Sequence, residues 1–215
     1  MTDGTDADEG DRGEERHFDR DTRQALDHAA AAIDRGELVI YPTETIYGLG
    51  ADALDAEAIG RVFSLKGRSS GKPVSMGLGS TEAIGEYTRP AVREQQFLGA
   101  FLPGPVTVLL KRRETIPDVL TAGRDRVGVR VPDHDLARGL ARRCGPVTAT
   151  SANRSGGPNA QRVDNLDPAI REGVAVVLDG GHTQGVESTV VDVDASEIHR
   201  RGAGADAIEE WLTDH

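Results

Sequence analysis

Apolar and polar positions alternate along this chain with two periods, and the switches between them mark its elements. From Arg20 the spacing is helical: Leu26, Ala29, Ala30 and Ile33 share one face, and Gly36 ends the segment. Leu38, Val39, Ile40 and Tyr41 predict a short buried strand, stopped by Pro42. Ala56 to Leu65 predicts a helix with Ile59, Val62 and Phe63 inward, and Pro73 to Leu78 a strand. Thr81 to Tyr87 and Ala91 to Phe101 are helical, then Val106–Leu110 and Val127–Val131 are strand-like, separated by a polar loop. Asp133 to Arg143 predicts a helix, and Val147 to Thr150 a strand running into a Ser/Asn/Gly/Pro loop. Val174–Leu178 and Thr189–Val193 are further strands, and Ala205–Leu212 is a final helix. Helices and strands mix without strict alternation and without an internal repeat. The expected class is α/β, one domain over 20–215 with a mixed, twisted sheet flanked by helices. Its polar loops fall mostly at strand ends, where such folds place their sites.

Residues 1–19 lack apolar periodicity and are rich in Asp, Glu, Gly and Arg, so a disordered, solvating tail is expected there. Across the 215 residues the hydrophobic fraction is 37% and the aromatic fraction 4%, so the core must be mostly Val, Ile, Leu and Ala. Acidic residues (36) outnumber basic ones (25), giving a formal charge of -11. Such a surface repels RNA and anionic membranes at long range and suits a high-salt environment, where that repulsion is screened. The one cysteine, Cys144, rules out a disulfide framework within the chain. An intracellular, cytoplasmic protein is expected, with no membrane partner: no apolar run reaches a span's length, and the N-terminus is not a signal peptide.

Four clusters join apolar elements to polar loops: Pro42–Gly50, Lys66-Gly67-Arg68, Pro103–Thr107 and Thr150–Asn153. Lys66 and Arg68 flank a glycine after a helix. Pointed into one cleft, an ammonium and a guanidinium would hold a triphosphate and offset charge as pyrophosphate leaves. A solvated basic loop is the bland alternative, and Lys72 adds to the local positive charge. Ser151 and Asn153 share strand parity, so hydroxyl and carboxamide could reach one ligand; bonding to their own loop is the alternative. Thr43 and Thr45 stand in the same relation. Gly48 and Gly50 permit a close backbone approach or a tight bend. Gly67–Pro73 fails as a P-loop, because Pro73 stands where Ser or Thr is required. Gly48–Ala53 is a weak dinucleotide turn, no zinc spacing or Gly-x-Ser-x-Gly elbow exists, and His134 reads as structural.

Together the clusters resemble the YrdC/Sua5 family of threonylcarbamoyl-AMP synthases, over about Arg20 to Ala203. Pro-Thr-[Glu/Asp]-Thr-x-Tyr-Gly-Leu is complete at Pro42–Leu49. Lys-x-Arg…Ser-x-Asn is Lys66, Arg68, Ser151 and Asn153, and Lys-Pro-[Leu/Val]-Ser is Lys72–Ser75. Pro103-Gly104-Pro105-x-Thr107, Val129–Pro132 and Glu187-Ser188-Thr189-Val190 follow in family order. The resemblance implies a concave basic cavity in which Thr43, Arg130 and Ser188 contact threonine, with Ser75 near it. It places Lys66, Arg68, Ser151, Asn159 and Arg200 on ATP, with Asn153 shaping that part of the cavity. Lys66 and Arg68 would be the catalytic pair.

The implied activity is that of a nucleotidyltransferase. It would join L-threonine, bicarbonate and ATP, with Mg²⁺ carried on the ATP phosphates rather than by a protein metal site, and pass threonylcarbamoyl-AMP to a tRNA-modifying transfer complex. Arg200-Arg201-Gly202 stands where the family often has Arg-Pro-Gly, which leaves Arg200 and Arg201 as alternatives. Gly77 stands where many members carry His, and the extra C-terminal domain of the longer Sua5 type is not expected. Two rivals remain at this level. The implied cavity would also permit weak RNA binding, hence a non-catalytic double-stranded RNA or tRNA module. A carbamoyl-transfer domain, as in hydrogenase maturation proteins, is the other.

Overall fold

The computed structural model describes residues 18–215. The tail expected over 1–19 lies outside the described residues as far as 17. Phe18 and Asp19 belong to the fold instead. Asp19 caps the first helix, α1 (Arg20–Asp34), by accepting from Thr22 N at 2.7 Å, and Phe18 packs with that helix's apolar side. The helix buries Leu26, Ala29, Ala30 and Ile33 and stops where Gly36 takes φ +75°.

The remaining order is β1 (Val39–Tyr41), β2 (Gly48–Gly50), α2 (Ala56–Lys66), β3 (Ser75–Gly77), α3 (Ile84–Tyr87), α4 (Val92–Phe101) and β4 (Val106–Lys111). Then come α5 (Asp118–Thr121), β5 (Arg126–Arg130), α6 (Asp135–Cys144), β6 (Val147–Ser151) and α7 (Pro168–Glu172). The chain continues through β7 (Val176–Val177), β8 (Thr189–Asp192), β9 (Glu197–Arg200) and α8 (Ala205–Asp214). Among the described residues the strands form one nine-stranded sheet in the order β7-β1-β2-β6-β3-β5-β4-β8-β9. The pairs β1–β7, β3–β5 and β4–β8 are parallel and the others antiparallel, so the sheet is mixed, as the element pattern implied. No described helix is long and apolar enough to cross a membrane.

Alternation along the central strands decides where the site lies. On β4, Val106, Val108 and Leu110 are buried in the main core, and on β5 Val127 and Val129 join them. The residues between, Thr107 and Leu109 on β4 and Arg126, Gly128 and Arg130 on β5, face a cavity. Ser75 on β3, Ser151 on β6 and Val190 on β8 face the same space. One sheet face thus packs on helices while the other forms a concave wall. A one-residue slip in register would exchange the two sets.

Several elements escaped the sequence pattern. Gly48 and Gly50 lie in a paired strand, β2, and the close approach they permit is to an aromatic ring. A Cβ at Gly48 would sit 2.9 Å from Tyr41 Cζ, and one at Gly50 3.0 Å from Tyr41 Cε1. Strand β9 carries only Ile198 as an apolar residue, and its polar positions hide it from a hydrophobicity reading. The "polar loop" before β5 contains the short helix α5, and α7 opens on Pro168 behind the Asp167 cap.

Candidate active site

The cavity holds about 880 Å³. Its wall carries Arg68, Arg124, Arg126, Arg130 and Arg200 against Asp125, Glu187 and Asp192. Arg126 is paired with Glu94, Asp192 and Asp194, whereas Arg130 and Arg200 each face a single carboxylate, Glu44 and Glu187. Of the residues singled out from sequence, Thr43, Arg68, Ser75, Arg130, Ser151, Ser188 and Arg200 line this one space. Lys66, Asn153 and Asn159 stand behind the lining.

One end is built by the Pro42–Gly50 segment and β5. Thr43 Oγ1 accepts from the amides of Thr45 and Ile46 (3.2 Å each) and donates to Ile46 O at 2.7 Å. Its hydroxyl therefore folds the loop before it meets any ligand. The loop delivers Thr45 Oγ1 to Arg130 Nη2 at 2.8 Å and Glu44 Oε1 to the same nitrogen at 2.7 Å. The Glu44 contact is electrostatic, since neither carboxylate oxygen meets a donor at hydrogen-bonding angle, and Arg130 Nε has no partner. Arg130 has a side chain only 8% exposed, so it is a desolvated cation with donor capacity in reserve. Ser75 lies beside Gly128, whose missing Cβ leaves room for its hydroxyl: a Cβ there would fall 2.4 Å from Ser75 Oγ. Ser188 Oγ is 3.0 Å from Thr107 Oγ1.

The other end is built by the end of α2, the loop after β6, and β9. Lys66 is the last residue of α2 rather than part of an extended loop, and Gly67 (φ +58°) terminates the helix in the left-handed conformation. Lys66 and Arg68 consequently diverge. Lys66 is 1% exposed. Its ammonium donates to Ser151 O, to Asn153 O at 2.7 Å and to Asn153 Oδ1 at 3.1 Å. Burial, and then the charge of Arg68, push its pKa down to about 8, while Glu187 pulls the other way. Arg68 faces the cavity, holding Lys72 O at 3.4 Å and Pro73 O at 2.9 Å. Burial and then the charge of Arg200 lower its pKa.

Behind this end runs a chain of hydrogen bonds. Ser151 Oγ donates to Asn153 Oδ1 at 2.6 Å, and Asn153 Nδ2 donates to Asn159 Oδ1 at 3.2 Å. Asn159 Nδ2 donates to Glu187 Oε1 at 3.2 Å, and Glu187 Oε2 is 3.0 Å from Arg200 Nη1. Arg200 also donates to Ser188 O and Ser188 Oγ, which links the two ends.

The alternatives left by the sequence now separate. Arg200 lines the cavity, whereas Arg201 turns outward to Asp206 and Glu209 at 2.7 and 2.8 Å. Gly77 is buried at the end of β3 and is not part of the lining. His134 precedes α6, and its Nδ1 is buried without a partner. Burial holds its pKa below the usual range. Burial pushes the Cys144 thiol up to about 12, far from a nucleophile's range. Glu44 and Glu187 carry weight that the sequence reading did not give them. Both stood inside motifs it quoted, but a carboxylate in an expected anion site drew no role.

Comparison with known proteins accords with this arrangement. A family profile for Sua5, YciO and YrdC proteins, described as "Telomere recombination", matches residues 31–202. A threonylcarbamoyl-AMP synthase of Pyrococcus abyssi is 40% identical over 168 residues, which cover 77% of this chain and 49% of that protein. A putative threonylcarbamoyl-AMP synthase of Methanocaldococcus jannaschii is 32% identical over 181 residues, covering 84% of this chain and 86% of that one. The crystal structure of P. abyssi Sua5 complexed with L-threonine superposes with TM-score 0.80 at 36% identity, over 88% of this chain and 57% of that chain. The chain spans about half the length of the curated relatives it matches from P. abyssi and Bacillus subtilis. With the profile running from α1 to the turn before α8, and the motif side chains gathered on one sheet face, the chain belongs to the Sua5/YciO/YrdC family.

Proposed function

We propose that this chain makes L-threonylcarbamoyl-AMP from L-threonine, bicarbonate and magnesium-bound ATP, releasing pyrophosphate. The observation that carries this is the two-ended cavity, with the buried Arg130 at one end and Arg68 with Arg200 at the other. The names of the P. abyssi and M. jannaschii relatives, and the threonine bound in the P. abyssi structure, support it.

All three reactants are anions or become so. Threonine's amine and bicarbonate condense to a carbamate, forming an N–C bond and releasing water. A carbamate oxygen then attacks the α-phosphorus, and the bond to the β-phosphate oxygen breaks. The protein's part is to gather and orient these groups and exclude water. Arg130 suits threonine's carboxylate, since a guanidinium forks onto two oxygens. Ser75, Thr43 and Ser188 supply the polar wall near it, which favours threonine over valine because an unmatched polar wall is costly to bury. Arg68 and Arg200 suit the phosphates.

Two of the cavity carboxylates are already engaged by guanidinium groups. Asp192 is paired with Arg126 and Glu187 with Arg200, and among the described residues no three metal-ligating side chains converge. On this reading magnesium comes with the ATP substrate, held by phosphates and water. The product is fit for a downstream tRNA threonylcarbamoyl-transfer step.

The test is pyrophosphate release by the purified chain. Release should require threonine and bicarbonate together and fall by at least tenfold in Arg68→Ala and Arg130→Ala. Turnover indifferent to threonine, or tight RNA binding with no turnover, would overturn the proposal.

A further inference from the structure

Glu187 is a carboxylate in the wall of a cavity whose proposed reactants are anionic. Its backbone is fixed. Glu187 O accepts from Ala203 N at 2.9 Å, and the neighbouring chain lies so close that a Cβ at Gly202 would sit 2.2 Å from Glu187 O. From that base the side chain engages two groups at once. Oε1 accepts from Asn159 Nδ2 at 3.2 Å, and Oε2 lies 3.0 Å from Arg200 Nη1. An amide donor and a guanidinium arranged about one pair of oxygens is also how a phosphate is held. The carboxylate thus sits where an incoming phosphate oxygen would find its donors. It has room to leave, because its side chain is 34% exposed and that of Arg200 45%.

We propose that Glu187 is a built-in anion that fills a phosphate position in the free protein and is displaced by the phosphates of the nucleotide. This rests on reading the Arg68–Arg200 end as the nucleotide site. In the free state Glu187 holds Arg200 at the cavity wall, offsets its charge, and ties it through Asn159 to the turn behind the lining. A phosphate cannot share the position with a carboxylate, because like charges repel strongly in a partly desolvated cleft. Only a ligand with more negative charge than a carboxylate wins the exchange, which favours polyphosphates. After pyrophosphate leaves, the carboxylate recloses on Arg200.

The test is calorimetric titration with ATP and, separately, with inorganic pyrophosphate, in the absence of threonine. It uses the wild type, Glu187→Gln, Arg200→Ala and the double variant. Glutamine keeps the shape and the Asn159 contact but removes the competing charge. If the carboxylate-held state makes up about nine-tenths of the free protein, Glu187→Gln should bind both probes about tenfold tighter. In the Arg200→Ala background the same change should gain less than about twofold, because the contact being released is gone. Equal or weaker binding by Glu187→Gln overturns the inference. So does an equal gain with and without Arg200, which would be mere removal of negative charge. If no variant binds either probe, the nucleotide reading falls too, whereas tight wild-type binding indifferent to Glu187→Gln sinks this inference alone.

Discussion

Lys66 Nζ donates to the carbonyl oxygen of Asn153 at 2.7 Å, beneath the cavity wall rather than within it. The contact ties the end of α2 to the turn after β6, and Ser151 O and Asn153 Oδ1 complete the ammonium's shell. We propose that Lys66 acts by positioning Ser151 and, through Asn153, Asn159. Lys66→Ala removes the ammonium from three acceptors and leaves Asn153 O, in particular, buried without its donor. Ser151 Oγ still reaches Asn153 Oδ1 and Asn153 N still reaches Ser151 O, so the loss is about 1–3 kcal/mol. The expected outcome is a clear drop in the denaturant midpoint, with the KM for ATP raised about tenfold or more and that for threonine little changed. Amide exchange over 151–159 should rise in parallel. A Lys66→Ala protein of unchanged stability that loses only kcat would instead place the ammonium on the reacting phosphates.

The same residue predicts a pH dependence. Its folded pKa of about 8 lies below the ordinary 10.5. Above pH 8 the neutral amine has two protons for three acceptors, so the turn loosens and kcat/KM should fall on the alkaline side. Stability moves the other way. Between pH 8 and 10.5 the unfolded chain holds the proton that the folded chain has lost, so this group's contribution rises with pH across that window. Below pH 8 both states are protonated and its contribution is flat. Rate profiles and urea midpoints from pH 7 to 10, in wild type and Lys66→Met, separate the two. The alkaline fall near 8 should be absent from whatever activity the variant retains.

Much of this fold was legible because its elements carry strong periodicity. The α1 face through Leu26, Ala29, Ala30 and Ile33, and the Val-rich β4 and β5, fall where the pattern puts them. Strand β2 did not, because Gly-Leu-Gly has no alternation to detect, and its glycines answer to the Tyr41 ring on a neighbouring strand. In the site, Arg68, Ser75, Arg130, Ser151, Ser188 and Arg200 come together as their motifs implied. The burial of Lys66 was not legible, since it depends on which way the chain turns at Gly67. The roles of Glu44 and Glu187 were hidden for the same reason: each is defined by a partner far away in sequence, Arg130 and Arg200.

Glu44 and Arg130 form an ion pair with side chains 12% and 8% exposed. Removing one member of such a pair leaves a desolvated charge behind, which costs about 3–5 kcal/mol. Glu44→Ala should therefore lower the thermal midpoint markedly, whereas Glu44→Gln, which keeps the shape and a polar contact, should lower it less. If Arg130 holds a carboxylate ligand, threonine should partly restore the midpoint of Glu44→Ala by replacing the missing negative charge. A thermal-shift titration with threonine and with an uncharged threonine amide decides this. Stabilisation by threonine alone is the expected result, and equal shifts from both would detach Arg130 from the carboxylate.

Gly128 offers a test of the threonine end that adds a single methyl group. It lies on β5 between Arg126 and Arg130, with its missing side chain toward the cavity. An alanine Cβ would stand 2.4 Å from Ser75 Oγ, 3.1 Å from Ser75 Cβ and 3.0 Å from Thr107 Cγ2. The hydroxyl can rotate away, but the two carbon contacts require β3 and the Thr107 side chain to give by a few tenths of an ångström. Overpacking of this kind costs about 1–3 kcal/mol. Gly128→Ala should thus lower stability modestly, raise the KM for threonine by about tenfold by re-aiming Ser75, and leave ATP affinity nearly unchanged. Combining it with Ser75→Ala removes the 2.4 Å clash and should recover part of the lost stability without recovering threonine affinity. Recovery of both would mean that the Ser75 hydroxyl contributes nothing to the ligand and that Gly128 serves packing alone.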